Sequence, residues 1–214
     1  MRVCFVAYKH YESSPRLIQF ARALLADGHS VEVLSLGRPG QFKTGVVDSV
    51  RIHHLQTRVK NEHSSLSYLF RILRFICVAA VILTVMHLRR PFQLIYVFSV
   101  PEFLVFAASF PKATGVPVLL DIFDIVPEFY AAKFGVSNRS IRMRCLIWVE
   151  RQSIRFSDHV TVANHLWKRR LESRSVCSTK CTAICYYADP TVFAKRSTTR
   201  SDRHFVLIYP GSLN

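Results

Sequence analysis

The chain has 214 residues, with 29 lysines and arginines against 14 acids, for a formal net charge of +15. Half of its residues are hydrophobic, which excludes a disordered polyelectrolyte and supplies core for one domain and a fraction of a second. The basic excess points to an anionic partner, whether nucleic acid, acidic lipid headgroups or a phosphorylated substrate, and says nothing about fold.

The first apolar run, Met1 to Ala7, meets polar Tyr8-Lys9-His10 at once. It is too short for a secretory h-region and has no small-residue cleavage site, so it reads as a buried strand and the expected location is cytoplasmic. Ser14 before Pro15 is an N-cap and first-turn pair. Leu17, Phe20, Ala21, Leu24 and Leu25 mark one helical face, and Gly28 stops the helix. Ser30 to Leu36 is a second strand, which makes a βαβ unit with a right-handed crossover. No G-x-G-x-x-G separates strand from helix, so a dinucleotide fingerprint is missing.

Gly37 to Gln56 reads as a Gly-containing loop and then a strand over Val50 to Leu55, where His53 and His54 lack the partners of a metal site. A long helix runs from Ser64 or Ser65 to about Leu88. Its apolar part, Phe75 to Met86, falls short of the about 20 residues of a membrane span. Two readings stay open for it: burial in the core, or one face against an anionic membrane surface with Arg71, Arg74, Arg89 and Arg90 at its ends. Phe92 to Phe98 is a buried strand ending at Ser99-Val100-Pro101-Glu102, and a helix follows to about Ala113.

Pro117 to Lys133 is the stretch that organises the rest. Val118-Leu119-Leu120 is a strand that delivers Asp121 and Asp124 at its carboxyl end, and Pro127-Glu128 opens a short helix. Ligands of open parallel sheets sit in the crevice outside such strand ends, where carboxylates bind hydroxyl groups or move protons. Capping of the loop and helix is the other reading of the two aspartates. Beyond it, Ser137-Asn138 starts a helix through Phe156 with arginines on its outer face. Asp158 to Ala163 is a strand, Asn164 caps a helix, and Lys180 to Cys185 is one more strand. The cysteines (Cys4, Cys77, Cys145, Cys177, Cys181, Cys185) form no C-x-x-C pair and no zinc pattern. Reduced, mostly buried thiols are expected, with no metal and no cofactor.

Several of these segments together resemble the acceptor-side domain of family 4 type GT-B glycosyltransferases. Asp121-x-x-Asp124-x-x-Pro127-Glu128 stands for the family's D-x-H-D and P-E elements. Glu12-Ser13-Ser14-Pro15-Arg16 and Leu24 to Val31 match its first loop and its L-x-x-x-G-H-x-V helix end. Glu150 to Val162 matches an E-x-x-(S/A)…D-x-(V/I) run, and Asp189 and Phe193 match N-x-x-D-x-x-x-F. Two positions depart from the pattern: Phe123 occupies the place of the histidine, and Tyr186 that of the asparagine.

The resemblance implies an α/β fold, a Rossmann-like open and mostly parallel sheet with helices on both faces, forming one half of a GT-B fold. Residues 1–194 would be the acceptor-side domain, 195–203 a basic linker, and 204–214 the first strand of a donor-binding domain that the chain lacks. It implies the acceptor-binding half of a retaining glycosyltransferase, inactive alone, acting on a lipid-linked or polysaccharide precursor. Implied catalytic positions are Phe123 (the family's histidine position), Asp124 and Glu128. Implied acceptor-binding positions are His10, Tyr11, Glu12, Arg16, Ser99 and Asp121. A nucleotide-sugar would be a partner only with a donor domain supplied, an anionic membrane surface at the inner face is a second expected partner, and nucleic acid is not expected. A non-catalytic interaction module or an inert remnant is the competing reading, because phenylalanine cannot hydrogen-bond a sugar as histidine does.

Overall fold

Eight strands form one sheet in the order β3-β4-β2-β1-β5-β6-β7-β8. The computed structural model describes residues 1–41, 43–57, 65–135 and 140–186. The strands are β1 (Arg2–Ala7), β2 (Ser30–Gly37), β3 (Thr44–Val47), β4 (Val50–Thr57), β5 (Leu94–Phe98), β6 (Val118–Ile122), β7 (His159–Val162) and β8 (Cys181–Ala183). All neighbours pair in parallel except β3, which is antiparallel to β4. The helices are α1 (Pro15–Ala26), α2 (Ser65–Arg89), α3 (Ser109–Ala113), α4 (Val126–Phe134), α5 (Ile141–Phe156) and α6 (His165–Glu172). The chain is a Rossmann-like α/β domain, and helices cover both faces of its sheet.

The two-residue period of the strands divides the core into two layers. Val3, Phe5 and Ala7 of β1 face Leu17 and Ala21 of α1, together with Val31, Val33, Tyr96 and Phe98. Cys4 and Val6 face the opposite way, into a larger layer with Ile72, Phe75, Ala79 and Leu83 of α2 and Ile154 of α5. Parallel strands buried on both sides read as continuous apolar runs, and β1 is buried along its whole length.

Local signals account for the ends of the first helix. Gly28 takes a φ of +75°, the Gly28 N–H donates to Leu25 O at 3.0 Å, and the His29 N–H donates to Leu24 O at 2.9 Å. These two bonds close a Schellman end that only glycine adopts without strain. Ser14 holds the N-cap position but does not cap, because its hydroxyl donates to His10 O at 2.7 Å. Asn164 does cap, accepting from the Trp167 N–H at 2.8 Å. For α5 the expected start at Ser137-Asn138 lies outside the described residues, and Ser140 is the observed cap, accepting from the Met143 N–H at 3.2 Å.

Other expectations shift. The helix expected after Pro101 is a 3-10 segment, Glu102–Ala108, continued by the short α3. The strand expected over Lys180–Cys185 narrows to Cys181–Ala183. The loop after Gly37 contains β3, which turns back through Asp48 and Ser49 at φ of 48° and 65°. Paired positive φ is the backbone of a type I′ hairpin turn, here without the Asn-Gly that announces one. Among the described cysteines, Cys4 and Cys181 are buried while Cys77, Cys145 and Cys177 are exposed, so the thiols are not mostly buried as expected. The segments expected to be the linker and the last strand lie outside the described residues.

Candidate active site

From β1 the chain passes to β2 on one side, and β5 joins β1 on the other. The strand order therefore reverses between β1 and β5, and a crevice opens there at the carboxyl ends. A cavity of about 310 Å³ occupies this point. Its wall comes from Lys9 after β1, Ser13 to Leu17 at the start of α1, Phe98 and Ser99 ending β5, Asp121 and Phe123 ending β6, and Tyr186 after β8.

Register explains how Asp121 reaches α1. It lies opposite Phe98 on β5 and Thr161 on β7, on the sheet face that α1 covers. There the Arg16 guanidinium grips it in a fork, Nε to Oδ2 at 2.8 Å and Nη2 to Oδ1 at 2.6 Å. The Thr161 hydroxyl donates to Oδ1 at 2.6 Å, and the Tyr96 hydroxyl, 2.6 Å from Thr161 Oγ1, supplies that oxygen with its own proton. Arg16 Nη1 also donates to Ile184 O at 2.9 Å, which ties the start of α1 to the segment after β8. Asp121 is 1 % exposed and Arg16 7 %. A planar fork on a buried carboxylate is a pairing that lysine could not reproduce. Burial raises the Tyr96 phenol well above its ordinary pKa, so it remains a donor.

The aromatic wall is the second feature. Phe123 and Tyr186, the two positions that depart from the family pattern, meet edge to face with centroids 6.5 Å apart and planes at 82°. Lys9 Nζ lies 5.5 Å from the Phe123 centroid, and the Arg16 guanidinium 5.8 Å from it. Burial lowers the Lys9 pKa, opposed by the carboxylates of Asp124 and Asp121. The crevice is thus apolar on its aromatic side and cationic beside it. Ser99 is 1 % exposed, and its Oγ has no partner among the described residues, which leaves an unspent polar atom in this wall.

Not every residue expected at the site gathers here. Arg16, Ser99, Asp121 and Phe123 line the cavity, and Asp124 is exposed nearby, close enough to act on Lys9. His10 donates from Nδ1 to Leu36 O at 3.2 Å, and Tyr11 is buried beneath the loop with burial pushing its phenol up to about 12. Glu12 accepts from Gln41 Nε2 at 3.2 Å. These three hold the first loop in place and do not line the cavity.

Glu128 belongs to another cluster. Arg170 Nε donates to its Oε1 at 2.6 Å, and Arg174 donates to both of its oxygens at 2.5 and 2.9 Å. Arg174 also reaches Glu150 at 2.9 and 2.5 Å. Arg174 and Arg170 hold the Glu128 pKa below its ordinary value against the opposing effect of burial. This network joins α4, α5 and the end of α6 beside a different cavity. Sequence reading left out Thr161 and Tyr96. Both required the register of the sheet to be found. Among the described residues no group of histidines, cysteines and acids could hold a metal ion.

Residues 13–186 match the family model of the glycosyl transferase 4-like domain. The chain belongs to this family. No curated protein sequence matches it. Solved structures similar in fold to this glycosyl transferase 4-like chain include sucrose-phosphate synthase from Thermosynechococcus elongatus, at TM-score 0.66 and 14 % identity, matched over 90 % of this chain and 50 % of that one. The catalytic domain of starch synthase IV from Arabidopsis thaliana, bound to ADP and acarbose, gives 0.57 and 11 %, over 89 % and 52 %. Os79 from O. sativa in complex with UDP gives 0.56 and 14 %, over 92 % and 55 %. The glycosyl transferase 4-like chain therefore spans about half the length of these structures, and its fold is that of one half of a GT-B enzyme.

Proposed function

We propose that these residues form the acceptor-binding half of a retaining glycosyltransferase, and that the sugar arrives as a nucleotide-sugar held by a donor-binding domain. The observation that carries this reading is the crevice at the strand-order reversal, with Arg16 locked to Asp121 and an aromatic wall facing Lys9. In a two-domain transferase the acceptor hydroxyl must be held against the activated sugar, and orientation alone accounts for much of the acceleration. A rigid Arg16–Asp121 floor and the unpaired Ser99 hydroxyl suit that positioning role. The wall of Phe98, Phe123 and Tyr186 beside Lys9 suits an acceptor that is part apolar and part anionic, as a lipid-linked or phosphorylated saccharide precursor is. ADP and UDP in two structurally similar proteins are consistent with a nucleotide-sugar donor. The retaining course is carried over from the family resemblance.

One observation favours a second reading, a binding module without chemistry of its own. The carboxylate lining the cavity, Asp121, is engaged by Arg16 and Thr161 through three hydrogen bonds, which gives it a structural part to play. Phe123 offers no base in its place.

The deciding experiment is a transfer assay with a panel of labelled nucleotide-sugars and membrane lipid extract as acceptor. It would be run with the chain alone and with a donor-domain fragment added. Transfer only with the fragment is the expected result. Transfer by the chain alone would show a donor site within it and overturn the half-site reading. No transfer in either case, with circular dichroism showing a folded chain, would favour the binding module or an inert remnant.

A further inference from the structure

Helix α2 satisfies two demands at once. Ile72, Phe75, Ala79 and Leu83 recur every three or four residues and are buried against the sheet. The opposite face carries Phe70, Leu73, Cys77, Val81, Val85 and Leu88, also at helical spacing and also apolar. Phe70 is 69 % exposed, Val81 63 % and Leu88 66 %. The stretch Ser67–Arg89 is long and apolar enough to cross a membrane by length and composition, yet only 22 % of its apolar window is buried. It does not leave the domain to do so. His87 accepts from the Phe92 N–H at 3.1 Å and lies 3.0 Å from Thr114 Oγ1, and the inner face fills the core. An exposed apolar ridge of this length on a helix fixed to a sheet is a docking surface.

Charge identifies the occupant. Arg74, Arg89 and Arg90 stand exposed along and just beyond the ridge, and Arg144 and Arg151 stand exposed on α5, which packs on the same side of the sheet. Trp148, 62 % exposed, projects between those two arginines. The acids on α2, the 3-10 segment, α3 and α5 are Glu102 and Glu150, and both are buried. An apolar ridge whose exposed charged side chains on these elements are, among the described residues, all cationic fits the boundary of an anionic bilayer, where headgroups meet the arginines and acyl chains the ridge. Two copies meeting through this ridge would oppose arginines to arginines, and nucleic acid offers the ridge no apolar counterpart.

We propose that the outer face of α2 seats the domain on an anionic phospholipid surface without spanning it. The placement deepens the acceptor reading and takes its purpose from it. Tyr68 near the amino end of α2 lies 6.5 Å from Tyr8, ring to ring, and Tyr8 directly precedes Lys9 of the crevice. The amino end of α2 therefore lies at the carboxyl-end side of the sheet, the side on which the crevice opens.

The test is flotation of the full chain with vesicles of phosphatidylcholine alone, and of phosphatidylcholine with one part in three phosphatidylglycerol. Binding to the anionic vesicles at least about tenfold above the neutral ones, weakening as salt rises, is expected. The double variant Val81→Asp, Leu88→Asp, with both residues pointing outward, should lose about tenfold in binding at unchanged circular dichroism. Arg74→Gln with Arg89→Gln should fall to the level of neutral vesicles. The proposal is overturned if the chain stays with the soluble fraction, if it binds both vesicles equally, or if the Val81→Asp, Leu88→Asp variant floats as well as the parent. It is also overturned if sedimentation shows a dimer that this variant dissociates while neither protein floats. None of these readouts depends on transfer, so failure of the crevice reading would be seen separately, in the transfer assay with a soluble acceptor.

Discussion

Two Arg–carboxylate clusters grow from one short stretch of chain, and they do opposite things. Asp121, near the end of β6, has its side chain on the α1 face, where Arg16 and Thr161 hold it at the floor of an open crevice. Glu128 sits one helix start later, on α4, and is clamped by Arg170 and Arg174, with Glu150 sharing Arg174. The chemistry of the two pairs is the same, and only the first opens onto the strand-order reversal. Proximity in sequence to a strand end is therefore not membership of its site. The turn between β6 and α4 hands one carboxylate to the site and the other to the scaffold.

The comparison is broken most forcefully at Asp121. Asp121→Ala leaves a buried guanidinium without its partner and should cost roughly 3–5 kcal/mol, seen as a lower urea midpoint. Asp121→Asn keeps the shape and part of the hydrogen bonding and should cost less. Next is Arg174→Ala, expected at about 3 kcal/mol, since Glu150 is stranded in the core while Glu128 reaches some solvent. The two should separate in function. Per folded molecule, Arg174→Ala keeps the crevice intact and leaves transfer with an added donor domain unchanged, whereas Asp121→Asn lowers it. Equal losses from both would mean that Glu128 serves the site after all.

A buried carboxylate with no ion-pair partner among the described residues sharpens the contrast. Glu102 is 4 % exposed with Oε1 unpaired, and burial pushes its carboxyl up to about 7. A folded-state pKa raised above the unfolded value near 4.5 means that the folded protein binds the proton more tightly. Its contribution is fully present below pH 4.5 and is lost as pH rises through about 7, a change of at most about 3 kcal/mol. Glu32 runs the other way. The hydrogen bond from His53 is the strongest influence, burial opposes it, and Arg2 adds to the His53 effect, holding the carboxyl at about 2. Its contribution is present above pH 4.5 and is lost as pH falls toward 2. Urea midpoints of Glu102→Gln minus those of the parent, taken between pH 4.5 and 7.5, should isolate the first effect. A difference that does not vary with pH would mean that Glu102 ionises normally.

Much of the architecture was legible because it is written in short-range signals. Gly28 and the apolar stripe of α1, the continuous apolar runs of β1, β5 and β6, and Asn164 before α6 each declare themselves within a few residues. The hairpin of β3 was not legible, since Asp48 and Ser49 take the positive-φ turn that Asn-Gly would have advertised. The candidate site was legible in its strand ends and not in its pairings. Arg16 meets Asp121, and Phe123 meets Tyr186, through the register of the sheet and the packing of α1, which no local pattern encodes. The same ignorance of direction put Glu128, His10, Tyr11 and Glu12 at the site, when their side chains serve the scaffold and the first loop.

The smallest expected effect on stability bears most directly on function. Phe123→His restores the family's residue at a half-buried position whose contacts are Tyr186 and the two cations. The cation–π contacts it gives up are worth roughly 1 kcal/mol or less, so the urea midpoint should hardly move. An imidazole there would face Lys9 and Arg16, which favour its neutral form, and it would put a proton acceptor where phenylalanine offers none. If the aromatic pair suppresses chemistry in an otherwise competent acceptor site, transfer with an added donor domain should rise by roughly 10²-fold, the lower end of what a positioned acid or base contributes. If transfer is already substantial in the parent and falls in Phe123→His, the Phe123–Tyr186 wall is instead how this chain grips an apolar acceptor. In that case Tyr186→Asn should weaken acceptor use in the same direction, raising KM more than it lowers kcat.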